Sequence, residues 1–222
     1  MIFSKKTFLL YTFSIIFLII FSYFNLDIPI AKFFLSHTKT YSEIGDFISV
    51  FGESHWYIGT AIIGFVFFKY VKKNTLYSQR FLFLLYINIF SGLISLLLKQ
   101  LFGRIRPWGL RGDSNEFGFL AFSNLDLSFI EKMKLHISTI ANAPTTYTSF
   151  PSGHTTTVFV LFTYMSIFFP RFIYLWFSLA FVLVSSRILA NDHFLSDIFA
   201  GIFVGTTSAL FIYSKMKEKL YK

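Results

Sequence analysis

The chain has 222 residues, 55% of them hydrophobic and only 14% charged, with 33 Phe and 12 Tyr; this is too apolar for a water-soluble domain of its length. Its formal net charge is +9, but most basic residues flank apolar runs, so the expected partner is an anionic lipid headgroup and not nucleic acid. The absence of Cys excludes disulfides, thiol catalysis and Cys-bound zinc. No internal repeat divides the chain, and 1–222 reads as one integral-membrane domain with no obligate protein partner implied.

A bilayer core of ~30 Å takes about 20 apolar residues as a helix. Six apolar runs approach this: 7–24, 56–71, 81–98, 155–169, 172–186 and 194–213. The shorter ones reach across by snorkelling or local thinning of the bilayer. The expected fold is therefore an all-α bundle of six transmembrane helices. The first run follows Lys5 and Lys6, as a signal peptide would, but Asn25-Leu26-Asp27-Ile28 offers no small-residue cleavage site, so an uncleaved helix is expected.

Lys and Arg placement orients the bundle. Eleven basic residues, including Lys5, Lys6, Lys69, Lys72, Lys73, Arg80 and Arg171, fall on one side in short loops and tails, against nine on the other. The first side is taken as cytoplasmic, with both termini there. Of the nine, Lys99, Arg106 and Arg187 have a separate explanation, and several others lie in one long loop, about 103–150. Two short interfacial helices are expected on the outer side. In 41–51, Tyr41, Ile44, Phe47, Ile48 and Phe51 share a face. In the long loop, Ser128 and Glu131 have capping-box spacing, followed by a stripe of Phe129, Met133, Ile137 and Ile140. These helices serve as padding against the membrane, or else as a surface that reads a headgroup.

Ionisable residues beside membrane spans are costly and suggest function. Here they form three clusters, all at outer helix ends. Lys99 and Arg106 are seven residues apart, about two helical turns, and Pro107 stops the helix. Pro151-Ser152-Gly153-His154 opens the fourth run. Ser186-Arg187, His193 and Asp197 join the fifth to the sixth. Lys99, Arg106 and Arg187 supply three cations, two of them able to grip oxygens bidentately. Ser152 and Gly153 sit where a helix begins, with free N–H groups and the positive end of its dipole. Asp197 is i+4 from His193 and can fix its tautomer, leaving one ring nitrogen free to attack. His154, on another helix, can protonate a leaving oxygen. Singly, each piece has a bland explanation as an anchor, a structural His or a helix start. His37, His55 and His136 keep that explanation, and Arg104 and Arg111 read as headgroup or loop contacts. Together the clusters describe a phosphate site.

The patterns Lys-x6-Arg-Pro (99–107), Pro-Ser-Gly-His (151–154) and Ser-Arg-x5-His-x3-Asp (186–197) resemble the three-part signature of the type 2 phosphatidic acid phosphatase (PAP2) superfamily, which includes vanadium haloperoxidases and bacterial acid phosphatases. Every fixed position is present with unaltered spacing. The resemblance implies His193 as nucleophile, forming a phosphohistidine, with Asp197 orienting it. It implies His154 as general acid, later activating water, and Lys99, Arg106, Ser152, Gly153 and Arg187 as phosphate ligands. It implies no metal or other cofactor. A zinc site on His154, His193 and Asp197 is conceivable, but three neighbouring cations oppose it.

The substrate is then a phosphorylated membrane lipid exposed on the periplasmic face of a bacterial inner membrane. The resemblance permits phosphatidic acid, phosphatidylglycerophosphate, undecaprenyl diphosphate or lipid A. The long loop, with Asp113, Glu116, Asp126 and Glu131, is a surface large enough for a sugar headgroup, which favours lipid A. Two other classes stay open. A phosphotransferase would pass the phosphoryl group to an acceptor other than water. A transporter would bury its charges near the bilayer midplane instead of at one end.

Overall fold

Apolar sequence forms helices in a bilayer because nothing else satisfies its backbone N–H and C=O groups there. A computed structural model describes residues 4–111, 117–122, 128–143 and 145–221, apart from the side chains of Lys39, Phe122 and Phe129. Asp113, Glu116, Asp126 and Lys222 lie outside the described residues.

Each of the six runs is helical: α1 (Lys5–Asn25), then α4 (Ser54–Val66), α5 (Thr75–Phe102), α7 (Gly153–Phe168), α8 (Ile173–Leu189) and α9 (Leu195–Met216). α4 is only 13 residues long, but a five-residue π-turn, Phe67–Val71, prolongs it. Among the described residues, four helical stretches suffice by length and composition to cross a membrane: Lys5–Asn25, Thr75–Phe102, Pro170–Leu189 and Leu195–Leu220. Ser4 caps α1 by accepting from the Thr7 N–H at 3.1 Å, and Asn74 caps α5 by accepting from the Tyr77 N–H at 3.1 Å. Leu10, Phe13 and Phe17 on α1, and Leu93 and Leu97 on α5, lie on the outside, as lipid-facing side chains do.

α9 occupies the centre, with α1, α5 and α7 packed around it; α4 lies on α5, and α8 lies on α7. Close approach of α7 to α9 requires Gly201. A Cβ there would stand 2.7 Å from the Ser152 carbonyl oxygen and 2.8 Å from Thr155 Cβ. Small residues let helices approach in this way. Phe83, Ile87, Val160, Tyr164 and Ala209 fill the bundle toward the end where Arg80 donates to the Leu220 carbonyl at 3.4 Å.

Both expected short helices form. The 41–51 segment is α3 (Thr38–Ser49) with a 3₁₀ turn at Val50–Gly52. Its packed side is Gly45 and Ser49 against α8, and Ile44, Phe47 and Phe51 face outward. α6 (Phe129–Asn142) begins at the expected Ser128–Glu131 capping box, but its apolar stripe is split. Ile140 is buried, while Met133 and Ile137 are exposed. α6 docks through Ile140 and through His136, whose Nε2 lies 2.7 Å from the Gln100 carbonyl oxygen. A further short helix, α2 (Asp27–Ser36), was not anticipated. Asp27 opens it and is buried, and this has consequences at the site.

Candidate active site

Four chain segments meet at one end of the bundle. α5 delivers Lys99 and then stops at Gly103, whose φ of 57° is the left-handed conformation that ends helices. The chain continues extended through Arg106, pinned by Arg106 N–H to the Thr146 carbonyl (3.0 Å) and Ser149 N–H to the Arg104 carbonyl (3.0 Å). α7 starts beside it, capped by Ser152, whose Oγ faces the Thr155 N–H at 3.4 Å. The Ser152 N–H donates to the Asp197 carbonyl at 3.1 Å, which ties the start of α7 to the start of α9. After α8, the Asp192 and His193 N–H groups both return to the Arg187 carbonyl, at 3.1 and 3.3 Å. That return places Arg187, Asp192 and His193 together.

The eight residues expected from sequence converge here. His193 Nδ1 faces Asp197 Oδ2 at 3.6 Å. Ser149 Oγ stands between them, 2.6 Å from Asp197 Oδ2 and 3.4 Å from His193 Nδ1. The Phe194 N–H also donates to Asp197 Oδ2, at 2.9 Å. His193 is buried, and among the described residues its Nε2 has no hydrogen-bond partner. Burial pushes the His193 pKa well below its ordinary value; the Asp197 hydrogen bond works against this, and Arg106 and Lys99 reinforce it. The ring is therefore neutral at physiological pH, the state a nitrogen nucleophile needs.

Lys99 Nζ donates to the Thr148 carbonyl. Arg106 Nη1 reaches Asp192 Oδ1 at 3.2 Å, and Arg187 Nη2 binds Asp192 Oδ2. The Nε atoms of Arg106 and Arg187 are buried with no partner among the described residues, so an anion between the two guanidinium groups would satisfy them. His154 lies within electrostatic reach of Lys99, Arg106 and Arg187. With Lys99 and Gly153 it lines a cavity of about 630 Å³ between α4, α5 and α7. Ile58, Ile89, Leu93 and Leu96 form the apolar wall of that cavity, and Glu53 and His55 stand at its edge.

Sequence reasoning missed three members and misread a fourth. Asp192 bridges the two cradle arginines, and Ser149 bonds both His193 and Asp197. Arg104, expected to be a headgroup or loop contact, is completely buried. Its Nη1 donates to Asp197 Oδ1 at 2.5 Å and its Nη2 to Asp27 Oδ2 at 2.6 Å. Tyr23, Phe117, Phe119 and Phe194 surround its guanidinium at 4.4–5.4 Å from their ring centres. Burial raises the Asp27 carboxyl, Arg104 opposes this, and Asp197 adds to it. The one sequence signal for this pair was Asp27 itself, a carboxylate directly after an apolar run. Arg111 is exposed. His37 bonds Ser36 and the Phe33 carbonyl locally, at 2.9 and 2.8 Å. Among the described residues, no three His, Cys, Asp or Glu side chains are grouped so as to hold a metal ion, and His154, His193 and Asp197 form no such group.

Known proteins resemble this chain in sequence. A lipid A 1-phosphatase of Rhizobium johnstonii is 29% identical over 178 residues, covering 76% of this chain and 65% of that protein. A lipid A 1-phosphatase of Rhizobium etli is 30% identical over 174 residues, covering 73% of this chain and 66% of that protein. The aligned part is thus just under two thirds of the length of these relatives. No solved structure matches the chain. The PAP2 superfamily model matches residues 80–221, which include all three motifs and every cradle residue. With more than half of its length matched, the chain belongs to the PAP2 superfamily.

Proposed function

We propose that this protein is a membrane lipid phosphatase that works through a phosphohistidine on His193, and that its substrate is the 1-phosphate of lipid A. The observation that carries the reading is the His193–Asp197 pair set against Lys99, Arg106 and Arg187 at one end of an apolar bundle. The phosphate monoester is held by Lys99, Arg106 and Arg187 and by the Gly153 N–H at the start of α7, while Ser152, its own N–H given to the Asp197 carbonyl, caps and fixes that helix start. His193 Nε2 attacks phosphorus in line. The P–O bond to the lipid breaks as protonated His154 gives its proton to the leaving oxygen. Asp197 holds Nδ1–H and balances the charge the ring acquires. His154, now neutral, takes a proton from water, whose oxygen attacks phosphorus and releases phosphate and free His193. The three cations supply the stabilisation of the transferring phosphoryl group.

The apolar wall of the cavity supports a lipid substrate, with its acyl region against Ile58, Ile89 and Leu93. In this reading all six long helices span the membrane, α4 by continuing through its π-turn and α7 by virtue of the polar residues at its start. Lys5, Lys69, Lys73, Arg80 and Arg171 at the end away from the site support a cytoplasmic position for that end, and with it a site that faces the periplasm. The similarity to two lipid A 1-phosphatases supports the choice of lipid A among the candidate lipids. The test presents the purified full chain in detergent with lipid A 1-phosphate, lipid A 4′-phosphate, undecaprenyl diphosphate, phosphatidylglycerophosphate and phosphatidic acid. Fastest release from the 1-phosphate supports the assignment; preference for any other lipid replaces it. Transfer to an acceptor with no free phosphate would make the protein a phosphotransferase.

A further inference from the structure

Behind His193 the protein buries a charge pair that phosphoryl transfer does not itself call for. Asp27 and Arg104 are 1% and 0% exposed and meet at 2.6 Å. Desolvating two such groups is expensive, and apolar replacements are often no less stable, so stability alone is a poor reason to keep them. Their geometry gives a better one. One arm of the Arg104 fork, Nη1, holds Asp197 Oδ1 at 2.5 Å and Ser196 Oγ at 2.6 Å. The other arm, Nη2, holds Asp27. Asp27 in turn accepts from the Ser196 N–H at 2.9 Å and from Ser196 Oγ at 2.5 Å, and so grips the first turn of α9, where Asp197 sits. Asp197 Oδ1 is thereby committed to Arg104, which turns Oδ2 toward His193.

The charges also add up in a particular way. Arg104 alone would neutralise Asp197. With Asp27 present, the buried set carries −1, +1 and −1, a net −1 behind the ring. That matches the positive charge the imidazole takes on when its Nε2 bonds phosphorus. The other groups facing His193 do not supply this charge. Lys99 from α5 and Arg106 from the segment after it are cationic, Asp192 is engaged by Arg106 and Arg187, and His154 on α7 stands among the same three cations.

We propose that Asp27 and Arg104 are positioning residues for the nucleophile, acting through Asp197. Arg104 fixes the carboxylate, and Asp27 cancels the Arg104 charge so that the charge of Asp197 remains available to His193. The inference rests on the phosphohistidine reading above.

The test compares Asp27→Asn and Arg104→Gln with wild type, each as the purified full chain on the same lipid phosphate. The readouts are kcat, KM, inhibition by orthovanadate, and the titration of His193 by ¹⁵N-histidine NMR. Asp27→Asn takes the net charge behind the ring from −1 to 0, and Arg104→Gln takes it from −1 to −2. The His193 titration, and the acid limb of kcat/KM with it, therefore moves to lower pH in the first variant and to higher pH in the second. In each, kcat falls about 10- to 100-fold, as for other residues that orient a functional ligand from behind, with KM and orthovanadate inhibition nearly unchanged. Opposite shifts are something a merely structural role does not produce, and either variant alone carries a signed expectation if the other does not fold. Unmoved titrations, shifts in the same direction, or KM and orthovanadate inhibition worsening in step with kcat overturn the proposal. If the wild type releases no phosphate from any lipid, the phosphatase reading fails, and the NMR titration still tests the charge arrangement.

Discussion

Alanine at position 201 would cripple the site without replacing any residue of the phosphate cradle. The added Cβ falls 2.7 Å from the Ser152 carbonyl oxygen and 2.8 Å from Thr155 Cβ. That is about 0.7 Å short of ordinary van der Waals contact. Neither neighbour is the end of a flexible side chain, so the start of α7 must move away from α9 by a comparable distance. Ser152 and Gly153 move with it, while His193 and Asp197 stay with α9. A displacement of ~1 Å between a nucleophile and the groups that hold its target costs on the order of 100-fold in rate. Overpacking also costs roughly 1–3 kcal/mol of stability. The assay measures phosphate release by Gly201→Ala beside Gly59→Ala, where an added Cβ meets nothing within 4 Å. We expect a loss near two orders of magnitude for the first and wild-type behaviour for the second, with both eluting as folded protein. Gly201→Ala activity within threefold of wild type would refute the claim that the α7–α9 crossing sets the site.

Three further outcomes follow from the electrostatics. His193 is held well below its ordinary pKa, and the neutral ring is the attacking form, so it stays competent as pH falls. The acid limb of kcat/KM set by His193 therefore lies below the ordinary histidine value of about 6.5; a limb at or above it contradicts the buried, neutral state. The unfolded chain takes up this proton at about pH 6.5 and the folded chain only at lower pH. From about pH 6.5 downward to that lowered value, His193 accordingly makes thermal stability fall as pH falls. Asp192→Asn should tighten inhibition by phosphate and orthovanadate, because it removes the carboxylate that now occupies Arg106 and Arg187. The pair is partly exposed, so the gain is modest, about two- to fivefold. Weaker inhibition would mean instead that Asp192 presets the arginines for the anion.

The helices were legible because lipid contact demands long apolar runs, and every run became a helix within a few residues of its expected ends. The motif residues were legible because their types recur at fixed spacing around helix ends: Lys99, His154, Arg187 and Asp197 lie on helices, and Arg106 and His193 lie in the segments just outside them. What stayed hidden depends on tertiary contact. Asp27 and Arg104 are 77 residues apart in sequence, and a loop arginine beside a basic motif reads as solvent-facing. Only the packing of Tyr23, Phe117, Phe119 and Phe194 around it buries the guanidinium. On α3 the apolar stripe was legible from its period, whereas the contact of Gly45 with the C-terminal end of α8 was not, because a glycine adds nothing to an apolar pattern. Ser149 and Asp192 carry no spacing signal of their own; their roles follow from the loops that fold back onto Arg104 and Arg187.

The central claim is that phosphate passes through His193. Its most direct test is to trap the intermediate. The full chain and His154→Ala are mixed with ³²P-labelled lipid phosphate, quenched under alkaline conditions and mapped by peptide. The account predicts alkali-stable label on the peptide bearing His193, retained at least in part and released slowly in His154→Ala, and absent from His193→Ala. Label on another residue, or turnover by His193→Ala near the wild-type rate, would contradict it.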